Sequence, residues 1–164
     1  MLCHSLEYIE SVKNQCDNIQ LASKKSPEPY RGKKIPNIAG DFLLSADTFE
    51  TAQYAAGAGL TAIRKILDPS TNIHKAFCVV RPPGHHAHRD SGSGFCVFNN
   101  IAIGAKFLAA KGFRPLIVDW DGHHGDGTQD LCQMDASIFY FSTHRNTSDG
   151  FYPGPYWGAT TKQG

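Results

Sequence analysis

Apolar residues recur along the chain in two patterns. Leu6, Ile9 and Val12 stand three apart behind Ser5, a hydroxyl residue suited to a helix start, and predict a short helix over 5–14. Phe49, Ala52, Ala56, Leu60, Ile63 and Leu67 follow three- and four-residue steps and predict a long helix over 48–67. Asp47 or Thr48 can cap it, and Pro69 stops it. A helical pattern returns over 99–111 and ends near Gly112. Continuous apolar runs at 76–80, 115–119 and 137–143 predict buried strands. Strand, helix, strand, short helix, strand is the rhythm of an α/β domain, a parallel sheet flanked by helices. Ligands of such sheets bind beyond the carboxyl ends of the strands. Each of the three runs leads into a polar stretch rich in glycine or histidine, so the chemistry is expected there.

Composition narrows this picture. With 164 residues, 41% hydrophobic and 19% charged, the chain suits one globular domain. A formal net charge of +1 argues against direct nucleic-acid binding, which needs a strongly basic face. Residues 22–37 are proline-rich and carry Lys24, Lys25, Arg31, Lys33 and Lys34 against Glu28, the profile of a solvated loop. No run approaches the roughly 18 apolar residues of a membrane span, and the N-terminus lacks the layout of a signal peptide. Cys3, Cys16, Cys78, Cys96 and Cys132 form no Cys-x-x-Cys pair, which speaks against a disulfide framework and predicts an intracellular, cytoplasmic or nuclear protein; the apolar or glycine-rich settings of Cys78 and Cys96 predict small buried hydrophobes.

The segment Val118-Asp119-Trp-Asp121-Gly-His123-His124-Gly-Asp126 follows a predicted strand. Alternation along an extended chain turns Asp119, Asp121 and His123 the same way. Aspartate and histidine without thiolates are a catalytic rather than a structural zinc pattern. A calcium loop would not place His123 at its fifth position or follow a strand. A two-manganese site of the arginase kind would also use Asp and His after parallel strands. Arg81-Pro-Pro-Gly-His85-His86 follows another run. Its adjacent histidines on a stiffened turn are a candidate acid/base pair. His88, just beyond, reads as a loop residue without a specific role. Gly94 lets backbone approach a ligand, and Phe95 is either a slot wall or core packing.

Together with Gly40-Asp41, Gly94-Phe-Cys-Val-Phe-Asn-Asn and Phe141-Ser-Thr-His, these motifs resemble the histone deacetylase and acetylpolyamine amidohydrolase superfamily, most closely its class II-like and bacterial members. The resemblance implies an arginase/deacetylase-like fold and zinc-assisted amide hydrolysis of acetyl-lysine, in histones or other proteins, or of an acetylpolyamine. It implies Asp121 and His123 as zinc ligands, and His85 and His86 as proton-transfer residues buttressed by Asp119 and Asp126. Asp119 and Ser142, with backbone carbonyls of Asp121, His123 and Thr143, resemble a potassium site. Phe95 and Tyr152 are similar to the aromatic pair lining the acyl-lysine channel, and Asp41 to a rim aspartate holding the substrate backbone.

The family's domain is at least about twice this length. The expectation is therefore a single catalytic domain, incomplete at both ends, that lacks its start and its C-terminal half. The family's third zinc ligand, a second Asp, and its oxyanion tyrosine have no counterpart within 1–164. Little or no activity of the chain alone is expected, together with an exposed apolar sheet face. The alternative from another class is a non-catalytic module that binds an acetylated or protein partner.

Overall fold

The computed structural model describes residues 3–25 and 43–155. Its elements run α1 (Leu6–Lys25), α2 (Thr48–Leu67), α3 (Asn100–Ala109), β1 (Leu116–Asp119), α4 (Asp126–Cys132) and β2 (Phe139–Ser142). The helix expected over 5–14 continues to Lys25, because Tyr8, Val12, Cys16 and Ile19 extend one apolar stripe at helical steps and all four are buried. Ser5 Oγ accepts from the Tyr8 amide at 3.3 Å, as a cap does. Helix α2 keeps its expected bounds, but Asp47 makes no side-chain cap. Thr48 Oγ1 instead accepts from the Ser45 amide at 2.8 Å.

One core joins the α1 stripe to Leu44, Ala52, Val97 and Phe98. The Tyr8 hydroxyl donates to the Val97 carbonyl at 2.9 Å, tying the Gly94–Asn100 segment to α1. A second core packs Ala102 and Ala105 of α3 against Ile117, Cys132, Ile138 and Cys3. Asn99 starts α3, its side-chain oxygen accepting from the Ala102 amide at 3.1 Å.

Strands β1 and β2 pair in parallel, Leu116 opposite Phe139 and Asp119 opposite Ser142, with α4 in the crossover. The period of two sends Ile117 into the core and turns Leu116, Val118, Phe139 and Phe141 to solvent. The expected exposed sheet face is therefore present among the described residues. The expected strand over 76–80 is not. That run pairs with no strand there, and Phe77 is 92% and Val79 85% exposed. Cys78 is likewise exposed rather than buried, while Cys3, Cys16, Cys96 and Cys132 are buried free thiols. An apolar run identifies a segment that can be covered on both faces, but strand geometry needs a hydrogen-bonding neighbour.

Candidate active site

The carboxyl end of β1, the 81–86 turn and the segment after β2 converge. Asp119 is the last residue of β1, and Asp126 the first of α4, so both carboxylates are held by regular elements. His85 Nδ1 donates to Asp119 Oδ2 at 2.9 Å, and His86 Nδ1 to Asp126 Oδ1 at 2.7 Å. The two imidazoles lie side by side with centroids 4.0 Å apart. A hydrogen bond at Nδ1 leaves Nε2 of each ring for the proton chemistry.

Glycines permit this closeness. Gly94, at φ +52°, lies against the His86 ring, where a Cβ would meet ring carbons. At Gly125 a Cβ would meet Asp119 Oδ2, the Tyr140 hydroxyl and His85 Cβ.

Asp121 and His123 stand at the solvent-facing side, with side chains 50% and 44% exposed. His123 Nδ1 lies 3.1 Å from Asp121 Oδ1, which also accepts from the His123 amide at 2.8 Å. Two ligands about 2.0–2.1 Å from one tetrahedral zinc stand about 3.3 Å apart, so this oxygen–nitrogen pair fits that ion. Among the described residues no group of three or more His, Cys, Asp or Glu is arranged to hold a metal. The His86 and His123 rings meet edge to face at 5.9 Å, and the Tyr152 ring contacts both, at 4.8 Å from His86 and 6.1 Å from His123. Tyr152 thus joins the site. Phe95 has φ 65° and is 61% exposed, so it is not core packing. Asp119 and Ser142 are neighbours across the β1–β2 ladder. Ser142 Oγ lies 2.8 Å from His144 Nδ1. Asp41 lies outside the described residues.

Burial tends to raise the Asp119 carboxyl, but the His85 hydrogen bond and charge outweigh it and hold the group below the ordinary carboxylate range. Burial lowers His85, and Asp119, by hydrogen bond and charge, more than reverses this, leaving His85 raised. Asp126 is pulled down to about 2: burial opposes ionisation, and hydrogen bonds from His86 and His88 overcome it. Asp121 is also lowered, its burial cost exceeded by the His123 amide and ring. All three carboxylates are therefore ionised at neutral pH, ready to accept from imidazole or to hold a cation.

Tyr140 joins the site without having been singled out in the sequence; His124 and His144, quoted there only within motifs, join it too, and His88, expected to be a loop residue without a specific role, does as well. The Tyr140 hydroxyl lies 3.2 Å from Asp119 Oδ2 and 3.2 Å from the Gly125 carbonyl. His124, buried, has Nε2 at 2.6 Å from Gln129 Oε1 and Nδ1 at 3.3 Å from His144. His88 bridges Asp126 and Asp130. Tyr140 could have been found, since it lies on the same face of its strand as Ser142; His88, His124 and His144 carry no such local signal.

Two His–Asp couples thus stand beside the Asp121–His123 pair. The sequence model of the family described as "Histone deacetylase domain" matches residues 1–164, and the chain belongs to that family. It is 36% identical over 159 residues to histone deacetylase 5 of Arabidopsis thaliana, covering 93% of this chain and 22% of that protein. To polyamine deacetylase HDAC10 of Rattus norvegicus it is 48% identical over 158 residues, 93% of this chain and 24% of the relative. Among solved structures it resembles the HDA15 HD domain, with a TM-score of 0.73 and 32% identity over 92% of this chain and 39% of that one. An HDAC homolog from Aquifex aeolicus gives a TM-score of 0.70 at 30% identity, covering 91% and 37%. The chain thus has the deacetylase fold and spans about a quarter or less of the length of these curated relatives.

Proposed function

We propose that residues 1–164 form part of a single zinc-dependent deacetylase domain that hydrolyses the amide of an acetylated lysine or an acetylated polyamine. The observation that carries this reading is the pair of His–Asp couples, His85–Asp119 and His86–Asp126, packed beside Asp121 and His123. Asp121 and His123 would hold zinc, with a third ligand from outside the described residues. Zinc, when bound, polarises the acetyl carbonyl and acidifies a water molecule. His85 or His86 would take up the proton of the attacking water at Nε2, and a protonated histidine would give a proton to the leaving amine. Asp119 and Asp126 orient the rings and stabilise their charged forms. Tyr152 and Phe95 line the slot for the aliphatic stem, and Asp41 holds the substrate backbone at its rim. Asp119 and Ser142, with the carbonyls of Asp121, His123 and Thr143, would hold potassium. No helix among the described residues is long and apolar enough to cross a membrane.

Both substrates belong to the reading, because relatives named polyamine deacetylase are 38% to 48% identical and relatives named histone deacetylase 36% to 44%. Acetate release from an acetyl-lysine peptide and from N-acetylspermidine, with zinc and after chelation, is the measurement. Two protein ligands are weak support for a catalytic zinc, which ordinarily has three. The chain alone is expected to release little acetate from either substrate, and to lose the zinc it does hold when Asp121→Ala or His123→Ala is introduced. Zinc retention indifferent to both substitutions would overturn the assignment of the site.

A further inference from the structure

Asp126 has two carboxylate oxygens, and only one faces His86. Oδ2 lies 3.2 Å from His88 Nε2, and the other nitrogen of that ring, Nδ1, lies 3.1 Å from Asp130 Oδ2. Four side chains therefore form one line: His86, Asp126, His88, Asp130. Both nitrogens of His88 face carboxylate oxygens, so both act as donors and the ring is held as the imidazolium. Its basicity is raised in keeping with this, through the Asp126 hydrogen bond first, then Asp130, against the cost of burial.

The backbone of His88 is fixed as firmly as its ring. Its amide donates to the Ser91 carbonyl at 2.9 Å. Its carbonyl accepts from His4 Nδ1 at 2.8 Å, and His4 Nε2 in turn accepts from the Asn99 amide at 2.9 Å. His4 precedes α1 and Asn99 starts α3, so the position of His88 is set by two helices as well as by its own turn.

A carboxylate with one partner can rotate about its terminal bond; one with a donor on each oxygen cannot without breaking a charge-assisted bond. Asp126 is enclosed, its side chain 6% exposed, and the His86 side chain is 4% exposed. Little water is available there to replace a lost donor. Asp119 is held comparably, with His85 and the Tyr140 hydroxyl on Oδ2 and the Asp121 amide on Oδ1.

We infer that His88 is a positioning residue, which by occupying the second oxygen of Asp126 fixes the hydrogen bond and the tautomer of His86. The inference deepens the proposed deacetylase reading and rests on it only for the use to which His86 is put. The geometry of the line is independent of metal and substrate.

The test is nitrogen-15 and proton NMR of the imidazoles in the metal-free chain, following the His86 Nδ1 proton. In the native chain it is expected as a low-field, slowly exchanging resonance. His88→Ala is expected to speed its exchange about tenfold, the worth of one net hydrogen bond. His88→Gln, whose amide reaches the place of Nε2 and donates to Asp126, is expected to restore slow exchange to within about twofold on the same scale. Loss of packing alone would be reversed equally by His88→Leu, which fills similar space without a donor and is expected to leave the exchange fast. Should His88→Ala fail to fold, Asp130→Asn loosens the far end of the line from a more exposed position and is expected to speed the same exchange about threefold, part of that bond's worth. An unchanged His86 resonance in the folded His88→Ala chain, or failure of His88→Gln to restore it, overturns the inference. So does an unchanged resonance in Asp130→Asn where that variant has to stand in. Zinc retention through Asp121 and His123 is a separate measurement, so failure of the deacetylase reading is distinguishable from failure of this one.

Discussion

Asp126 is the residue on which most of the buried charge converges. Burial opposes its ionisation, but hydrogen bonds from His86 and His88 overcome that cost and hold its carboxyl down at about 2, a depression worth roughly 2–3 kcal/mol. The folded-state value is depressed, so this contribution is complete above the unfolded value, near pH 4, and fades as pH falls toward 2. Asp126→Asn is expected to lower the urea midpoint at pH 6, and the gap to the native chain should narrow between pH 4 and 2. Equal midpoints at pH 6 would show that the His86 and His88 bonds contribute nothing net. Gly94 offers a second residue-scale test. Its φ of +52° costs a side-chain-bearing residue about 1 kcal/mol, and the added methyl would meet the His86 ring. Gly94→Ala should therefore lower stability by more than 1 kcal/mol in a urea titration, whereas Gly122→Ala, where a Cβ meets nothing within 4 Å, should cost less.

At the scale of elements, Asn99 ties three segments together. It is fully buried, caps α3 through Ala102, and its amide donates to the Ala87 carbonyl at 3.2 Å and to Thr128 Oγ1 at 3.1 Å. Asn99→Ala removes the cap and leaves buried polar groups short of partners, about 2–4 kcal/mol in all. A loss of less than about 1 kcal/mol by chemical denaturation would mean that water replaces the amide. The same scale shows what could be read along the chain. Helix α2 was legible because its period is local. Strands β1 and β2 were legible because apolar runs flanked by glycine and polar residues leave little alternative. The extension of α1 was also written in the steps Tyr8, Val12, Cys16 and Ile19, but Asn14, Asp17 and Asn18 masked it. The run at 76–80 predicts a strand that is not present among the described residues, because pairing depends on a neighbour and not on the run itself. The His–Asp couples link positions 34 and 40 residues apart. Spacing alone does not pair such positions; only the family resemblance did. His88 was missed for a related reason, since its partners Asp126 and Asp130 lie on α4, beyond α3 and β1.

The whole molecule carries one further consequence of that fold. Leu116 faces Phe139 across the ladder, and Val118 faces Phe141, so among the described residues these four exposed side chains form one continuous apolar strip on the outer face of the sheet. Leu116 is 61% and Phe139 68% exposed. Parallel sheets are ordinarily covered on both faces, and an uncovered apolar strip favours association between copies in water. The inner face, with Ile117, is packed in the core and is independent of the strip. Phe139→Lys and Val118→Lys should therefore leave the helical circular dichroism unchanged while removing apolar area from the outer face alone. Light scattering over a concentration series is the measurement. The native chain is expected to associate as concentration rises, and the double variant to remain monomeric over the same range, because two like charges on adjacent strands repel as well as hydrate the strip. Association that persists unchanged in the variant would place the contact elsewhere, on the exposed Phe77–Val79 run, and Val79→Lys should then abolish it. The outcome decides which apolar surface of this part of the deacetylase domain governs its behaviour in solution.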